Sequence, residues 1–255
     1  MGVPAWSPDG TRLAYQLELP DASVQIATMA RDGSDVHVLT SGPGIHETPT
    51  WSADGTWLAY GYSPVPCCSQ GFHTVLYRID ADGSDPALLG EADRFDVEPK
   101  VSPDGRSIAF ERLTSDATGN QQNSMVVRDL ASGLERAIPV AGMAVEHADW
   151  SPDGRWIVYD VSNALTQTVP KDQVERIAAN GSGRPLTLLR ATQTVGGFKP
   201  VYSPDGSRIL FGCVGMNGRD DEAACVMDAD GSNVAILVDD PEWNENGFSW
   251  GVAGP

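Results

Sequence analysis

The sequence predicts an all-β protein, a β-propeller of four-stranded antiparallel blades, and three observations predict it. A Ser-Pro-Asp-Gly tetrapeptide recurs along the 255 residues, as Ser7-Pro8-Asp9-Gly10, Ser52-Ala53-Asp54-Gly55, Ser102-Pro103-Asp104-Gly105, Ser151-Pro152-Asp153-Gly154 and Ser203-Pro204-Asp205-Gly206. The copies are 45, 50, 49 and 52 residues apart. Each is followed by short β-prone runs separated by glycine turns, and no stretch carries the 3.6-residue period of a helical solenoid. Four short strands per unit at a period near 50 residues is the pattern of propeller blades.

The elements follow in the same order in every unit. An aromatic residue or valine precedes each serine: Trp6, Trp51, Val101, Trp150 and Tyr202, with Trp250 taking the same place last. This segment is the innermost strand. The tetrapeptide is a turn, in which Pro presets φ, Asp tolerates the third position and Gly accepts positive φ. The second strand is Leu13-Ala14-Tyr15, Leu58-Ala59-Tyr60, Ile108-Ala109-Phe110, Ile157-Val158-Tyr159 or Ile209-Leu210-Phe211. A third run, such as Val75–Ile79 or Met125–Val127, ends in a second turn, as in Asp80-Ala81-Asp82-Gly83-Ser84 and Asp228-Ala229-Asp230-Gly231-Ser232. A fourth run closes the unit, as in Val36–Leu39 and Val234–Leu237. Repeats are thus expected near residues 4–48, 49–98, 99–148, 149–200 and 201–246, with a partial one at 247–255. That makes five complete blades and the inner strand of a sixth within a single domain.

The Trp-Ser-Pro-Asp-Gly-x-x-Ile-Ala-Tyr pattern, with Asp-x-Asp-Gly-Ser before the last strand, resembles the TolB-type β-propeller repeat. Trp150–Tyr159 and Asp228–Ser232 carry the likeness best, and it extends from Val3 to Gly251. Ala53 for Pro, Val101 for Trp and Ala131-Ser132-Gly133 for the acidic turn depart from it. The resemblance implies a six-bladed ring in which strands from the N-terminus complete the last blade. No such strands precede Trp6, so the expectation is a piece of a longer chain lacking upstream strands.

Composition narrows the function classes. The chain has 17 Lys+Arg against 35 Asp+Glu, a net charge of −18, which argues against nucleic acid, whose phosphates need clustered cations. It is 41% hydrophobic and 20% charged, an ordinary globular balance. No run approaches the roughly 20 apolar residues of a membrane helix, so no membrane insertion is expected. No signal-peptide pattern is visible at the start.

There are four cysteines. Cys213 and Cys225 lie on successive strands of the fifth unit and are expected to pair across them, against the alternative of two buried thiols in a cytosolic protein. Cys67 and Cys68 are adjacent in a loop; a vicinal disulfide, two reduced thiols and a bond to a partner all stay open. Paired cysteines, with the TolB resemblance, imply a periplasmic or extracellular protein whose signal peptide lies outside these residues.

There is no nucleophile elbow, Walker loop, dinucleotide fingerprint or His-Glu-x-x-His. Asp80-Ala81-Asp82-Gly83 and Asp228-Ala229-Asp230-Gly231 place glycine fourth, where a hairpin turn wants it, rather than sixth as in a calcium loop. The catalytic set is therefore expected to be empty. Candidate binding residues are those just before the innermost strands. If the units are equivalent, His46, Glu47, Glu98, Glu146, His147, Lys199, Glu245 and Asn246 ring one mouth of the channel, with Trp243 the best aromatic for a partner. Converging carboxylates raise one another's pKa and attract cations. No cofactor is required, although a divalent cation in the channel fits such a ring. The first expectation is a non-catalytic binding propeller of the bacterial cell envelope that meets a protein or peptide on one face, as the TolB resemblance implies. The alternatives are a sensor or substrate-gating propeller of a larger peptidase or receptor kinase, and, third, a metal-dependent lyase using His46, His147 and the glutamates.

Overall fold

The structure, a computed structural model, describes residues 4–65, 73–115, 121–138, 144–162, 172–218, 221–239 and 249–251. All the regular elements among them are strands. The first unit holds β1 (Ala5–Trp6), β2 (Arg12–Glu18), β3 (Val24–Ala30) and β4 (His37–Val38). The second holds β5 (Ile45–Trp51), β6 (Trp57–Ser63), β7 (Val75–Asp80) and β8 (Ala87–Leu88). The third comprises β9 (Phe95–Val101), β10 (Ser107–Ser115), β11 (Gln121–Asp129) and β12 (Glu135–Ala137), and the fourth β13 (Ala144–Trp150), β14 (Trp156–Ser162), β15 (Gln173–Ala178) and β16 (Leu186–Leu189). The fifth is β17 (Gly196–Tyr202), β18 (Arg208–Val214), β19 (Glu222–Asp228) and β20 (Ala235–Val238). Each unit is an antiparallel meander. The first two join through one parallel pair, Val24 with Ile45, and no sheet among the described residues closes on itself. No helix of the described residues is long and apolar enough to cross a membrane.

The turn chemistry explains why the tetrapeptide is repeated. Each serine hydroxyl donates to the aspartate two residues on, at 2.6 or 2.7 Å. The same serine oxygen accepts the backbone N–H five residues on, at 2.9–3.1 Å, which starts the second strand. The turn glycines lie at φ of 67–71°, a region that disfavours any side chain.

The sheets stack face to face, so their middle strands are covered on both sides. Ile157, Tyr159 and Val161 of β14 pack with Ala109, Met125 and Val127 of the third unit, while Val158 packs with Ile209 and Phe211 of the fifth. Ile157, Val158 and Tyr159 are all fully buried, which is why this run is continuously apolar rather than alternating. Burying each such side chain is worth about 1.5–3 kcal/mol. The inner-strand tryptophans fasten neighbouring units. Trp51 Nε1 donates to Ala5 O at 3.0 Å and Trp150 Nε1 to Lys100 O at 3.0 Å. Trp250 Nε1 donates to Val201 O at 3.2 Å. Where the aromatic is Tyr202, the Asp149 carboxylate instead accepts the Tyr202 N–H at 2.8 Å.

The structure adds detail to two sequence expectations. The innermost strands begin earlier than the expected repeat boundaries near 49, 99 and 149: β5, β9 and β13 start at Ile45, Phe95 and Ala144. Pro49 and Pro99 read as breaks, but they sit at β-bulges inside the strands, where no ladder N–H is needed. Cys213 and Cys225 are bonded, with Cα atoms 5.8 Å apart. They are not directly opposite, however: Cys213 faces Ala223 and Cys225 faces Phe211, so the bridge runs diagonally across β18 and β19.

Candidate functional site: the acid-lined end of the channel

The site is built by the bulges. In β5, β9, β13 and β17 the register slips by one residue, between Glu47 and Thr50, Val97 and Lys100, Glu146 and Asp149, and Phe198 and Val201. The extra residue takes positive φ: Thr48 at 50°, Glu98 at 52°, His147 at 52° and Lys199 at 51°. A non-glycine residue in this region is uncommon, and four in register mark a device of the fold. In the fourth and fifth units its backbone N–H is taken by an acidic residue on the second strand of the preceding unit. His147 N donates to Glu111 Oε1 at 2.6 Å, and Lys199 N donates to Asp160 Oδ1 at 3.1 Å.

Glu98, Glu111, Glu146, His147, Asp160 and Lys199 therefore converge. His147 Nδ1 lies 3.0 Å from Asp160 Oδ1, and its Nε2 lies 3.6 Å from Glu98 Oε1. Burial alone would push His147 down; the Asp160 hydrogen bond and charge, with Glu98 and Glu111, raise it to about 10. These partners favour the imidazolium, while burial pushes the Asp160 carboxyl up in turn. Burial drives Glu111 well above the usual carboxylate range, with Glu98 adding to it. Glu146 is also raised, first by burial and then by Asp160. Glu146, His147 and Asp160 each offer one ligand atom within 4.8 Å of the others, so a divalent ion fits by distance. That set would have to displace the proton His147 shares with Asp160.

The remaining expected residues divide. Glu47 belongs with this end: Thr74 Oγ1 donates to its Oε1 at 3.2 Å, and burial, with Glu98, raises its pKa. His46 does not belong there, which corrects the sequence reading. It sits one residue before Glu47, and alternation turns it into the seam between the first two units. It is buried, with Nδ1 2.9 Å from Val24 O and its ring against Tyr62 at 4.7 Å. Asp96, in the same register place, is likewise turned into its sheet, where it holds Arg112 at 2.7 and 2.8 Å. Trp243, Glu245, Asn246, Cys67 and Cys68 lie outside the described residues. Sequence reasoning missed Glu111 and Asp160. The available signal was a carboxylate directly after Phe110 and Tyr159, in a run otherwise apolar.

A second space opens at the other end of the inner strands. It is a cavity of about 440 Å³ lined by the Ser-Pro turns of successive units, by Lys100 and Asp149, and by Trp250.

Comparison with known proteins agrees with this geometry. The chain is 26% identical over 189 residues to the uncharacterized protein Atu1656 of Agrobacterium fabrum, covering 68% of this chain and 59% of the relative. It is 24% identical over 173 residues to the uncharacterized peptidase YuxL of Bacillus subtilis, covering 65% of this chain and 22% of that protein. The chain thus spans less than two thirds of either relative. Among solved structures, a protein assigned as TolB from Agrobacterium tumefaciens superposes with a TM-score of 0.70 at 22% identity, covering 92% of this chain and 79% of that one. TolB from Acinetobacter baumannii gives 0.73 at 20%, covering 93% and 54%. An oligogalacturonate lyase in complex with manganese gives 0.66 at 14%, covering 91% and 63%. At these identities the structures share the fold alone. The profile described as the TolB beta propeller domain matches residues 1–182. With its repeated turn, meander sheets and bulged inner strands, the chain belongs to the TolB β-propeller domain family.

Proposed function

We propose that this chain is a non-catalytic binding propeller of the bacterial cell envelope, periplasmic as its TolB relationship suggests, that receives a protein or peptide partner at the acid-lined end of its channel. The observation carrying this reading is the convergence of Glu98 and Glu146 on the inner strands with Glu111 and Asp160 on the second strands beside them. Four carboxylates there face His147 and Lys199, an arrangement suited to a basic segment. His147 weighs against the lyase reading. Its hydrogen bond to Asp160, with Glu98 and Glu111 nearby, pushes it toward the imidazolium, which disfavours a general-base role.

We also propose a ring of six positions, the last held by residues 249–251. Trp250 reaches Val201 of the fifth unit, and a Cβ on Gly251 would meet the Trp6 ring of the first at 3.1 Å. The test of function is affinity capture from periplasmic extract with the wild type and a Glu98→Gln/Glu146→Gln variant. The reading requires proteins that the wild type retains and the variant loses; equal capture by both overturns it. The similarity to peptidase YuxL supports a second reading, a propeller attached to a peptidase domain. The sequence of the complete gene decides between them.

A further inference from the structure

The cavity at the Ser-Pro-turn end adjoins the acidic end, since Lys100 also borders a smaller space beside Glu98, His147 and Lys199, but its own lining carries a different charge pattern. Side chains of the residues just before the inner-strand aromatics reach it, and two of these, Lys100 and Asp149, are charged. They come from adjacent units. Among the described residues, the Lys100 ammonium closes no hydrogen bond or ion pair, and its recorded interaction is the longer-range attraction to Asp149. The Asp149 carboxylate spends Oδ2 on the Tyr202 N–H at 2.8 Å. Burial pushes Asp149 up, against the pull of Lys100. A cation and an anion from adjacent units thus line one cavity, near enough to attract each other but not joined in an ion pair. The rest of the wall is uncharged: tryptophans and prolines such as Trp6, Trp51, Pro103 and Pro204, with Tyr202, valines and the turn serines. About 440 Å³ is within the range of small-molecule sites.

We propose that this cavity binds a small zwitterion of the amino-acid type, with its carboxylate on Lys100, its ammonium on Asp149 and an apolar side chain against the prolines and tryptophans. A net-neutral ligand matches a net-neutral pair. A simple anion would be repelled by Asp149, and a simple cation by Lys100. Both charges of the ligand are needed at once, and that separates this site from the acidic end, which favours cations. The inference does not depend on the partner reading.

The experiment is calorimetry on the full chain with free L-phenylalanine, L-leucine and L-proline, and with N-acetyl-phenylalanine and phenylalaninamide as single-charge analogues. At least one free amino acid is expected to bind with Kd below about 1 mM. Both analogues should bind at least about tenfold more weakly than free phenylalanine. In Lys100→Met the preference for phenylalanine over phenylalaninamide should disappear. Lys100 makes no side-chain bond whose loss would unfold the protein, so this variant keeps the test sound. Asp149→Asn, which keeps an acceptor for the Tyr202 N–H, should remove the preference over N-acetyl-phenylalanine. Absence of binding by all three amino acids overturns the proposal. So does equal binding of either analogue, or unchanged selectivity in Lys100→Met.

Discussion

Replacing Asp160 by asparagine should release His147 from its charged state. Asp160 is fully buried and accepts from both His147 Nδ1, at 3.0 Å, and Lys199 N, at 3.1 Å. Asparagine keeps an acceptor for the Lys199 N–H but removes the negative charge. Raising an imidazole from 6.5 to about 10 corresponds to about 5 kcal/mol in favour of imidazolium, at 1.36 kcal/mol per pH unit. Asp160 supplies the largest favourable share through its hydrogen bond and charge, while burial works against it. Without Asp160, His147 should titrate well below its wild-type value, with Glu98 and Glu111 still holding it up in part. Histidine NMR across a pH series reads this directly, with only four histidines to assign. Because the folded pKa lies above the unfolded one, the stabilisation is fully present below about pH 6.5 and is lost as pH rises toward about 10. Urea unfolding of the wild type should therefore show stability falling over that interval, and Asp160→Asn should flatten the slope. The variant should also lose about 3–5 kcal/mol at neutral pH, the usual cost of breaking a buried pair. A wild-type His147 that titrates near 6.5, or a pH slope unchanged in the variant, would refute the reasoning.

Three other outcomes follow from the packing. Trp150→Phe keeps the ring but loses the N–H to Lys100 O, and should cost about 1 kcal/mol in urea unfolding, plus the penalty of the altered fit. Reducing Cys213–Cys225, or replacing both residues with alanine, opens a loop whose ends are 12 residues apart and should cost about 2–4 kcal/mol; mass spectrometry of the unreduced protein checks the bond. Ser151→Ala removes both the hydroxyl donated to Asp153 and the acceptor of Trp156 N, and should lower Tm more than Ser182→Ala, whose residue lies in an exposed turn.

The repeat made most of the fold legible, because turn chemistry is local. Ser151, Asp153 and Gly154 need only one another and the following strand to form their turn, so their spacing reveals the unit. The inter-unit aromatics were legible for the same reason. Trp150 occupies a fixed place, and its indole finds the preceding unit's carbonyl wherever the units stack. Trp57 and Trp156, each one position before the apolar run of its second strand, lie beneath Arg78 and Arg176 at 5.2 and 4.6 Å. The site was legible only in part. Counting back from the aromatics shows that Glu98, His147 and Lys199 hold equivalent places in their units. Which way each side chain points depends on the bulge, and a single slipped residue reverses the facing of everything beyond it. His46 was misplaced for that reason.

The sequence by itself determined the family, the meander unit and its period, since all three are written in residues that interact within a few positions of one another. The tertiary structure alone decided which charges meet. Glu111 and His147 are 36 residues apart, and Lys199 lies 39 from Asp160. Only the stacking of one unit on the next brings a second-strand carboxylate beneath the following unit's bulge. The same stacking sets Lys100 beside Asp149 in the opposite cavity. Part of the −18 of the whole chain is turn aspartates held below their usual range by serine and backbone donors, such as Asp205 at about 2. The charges that matter for binding are the few that the stacked inner strands bury together, where low dielectric strengthens them.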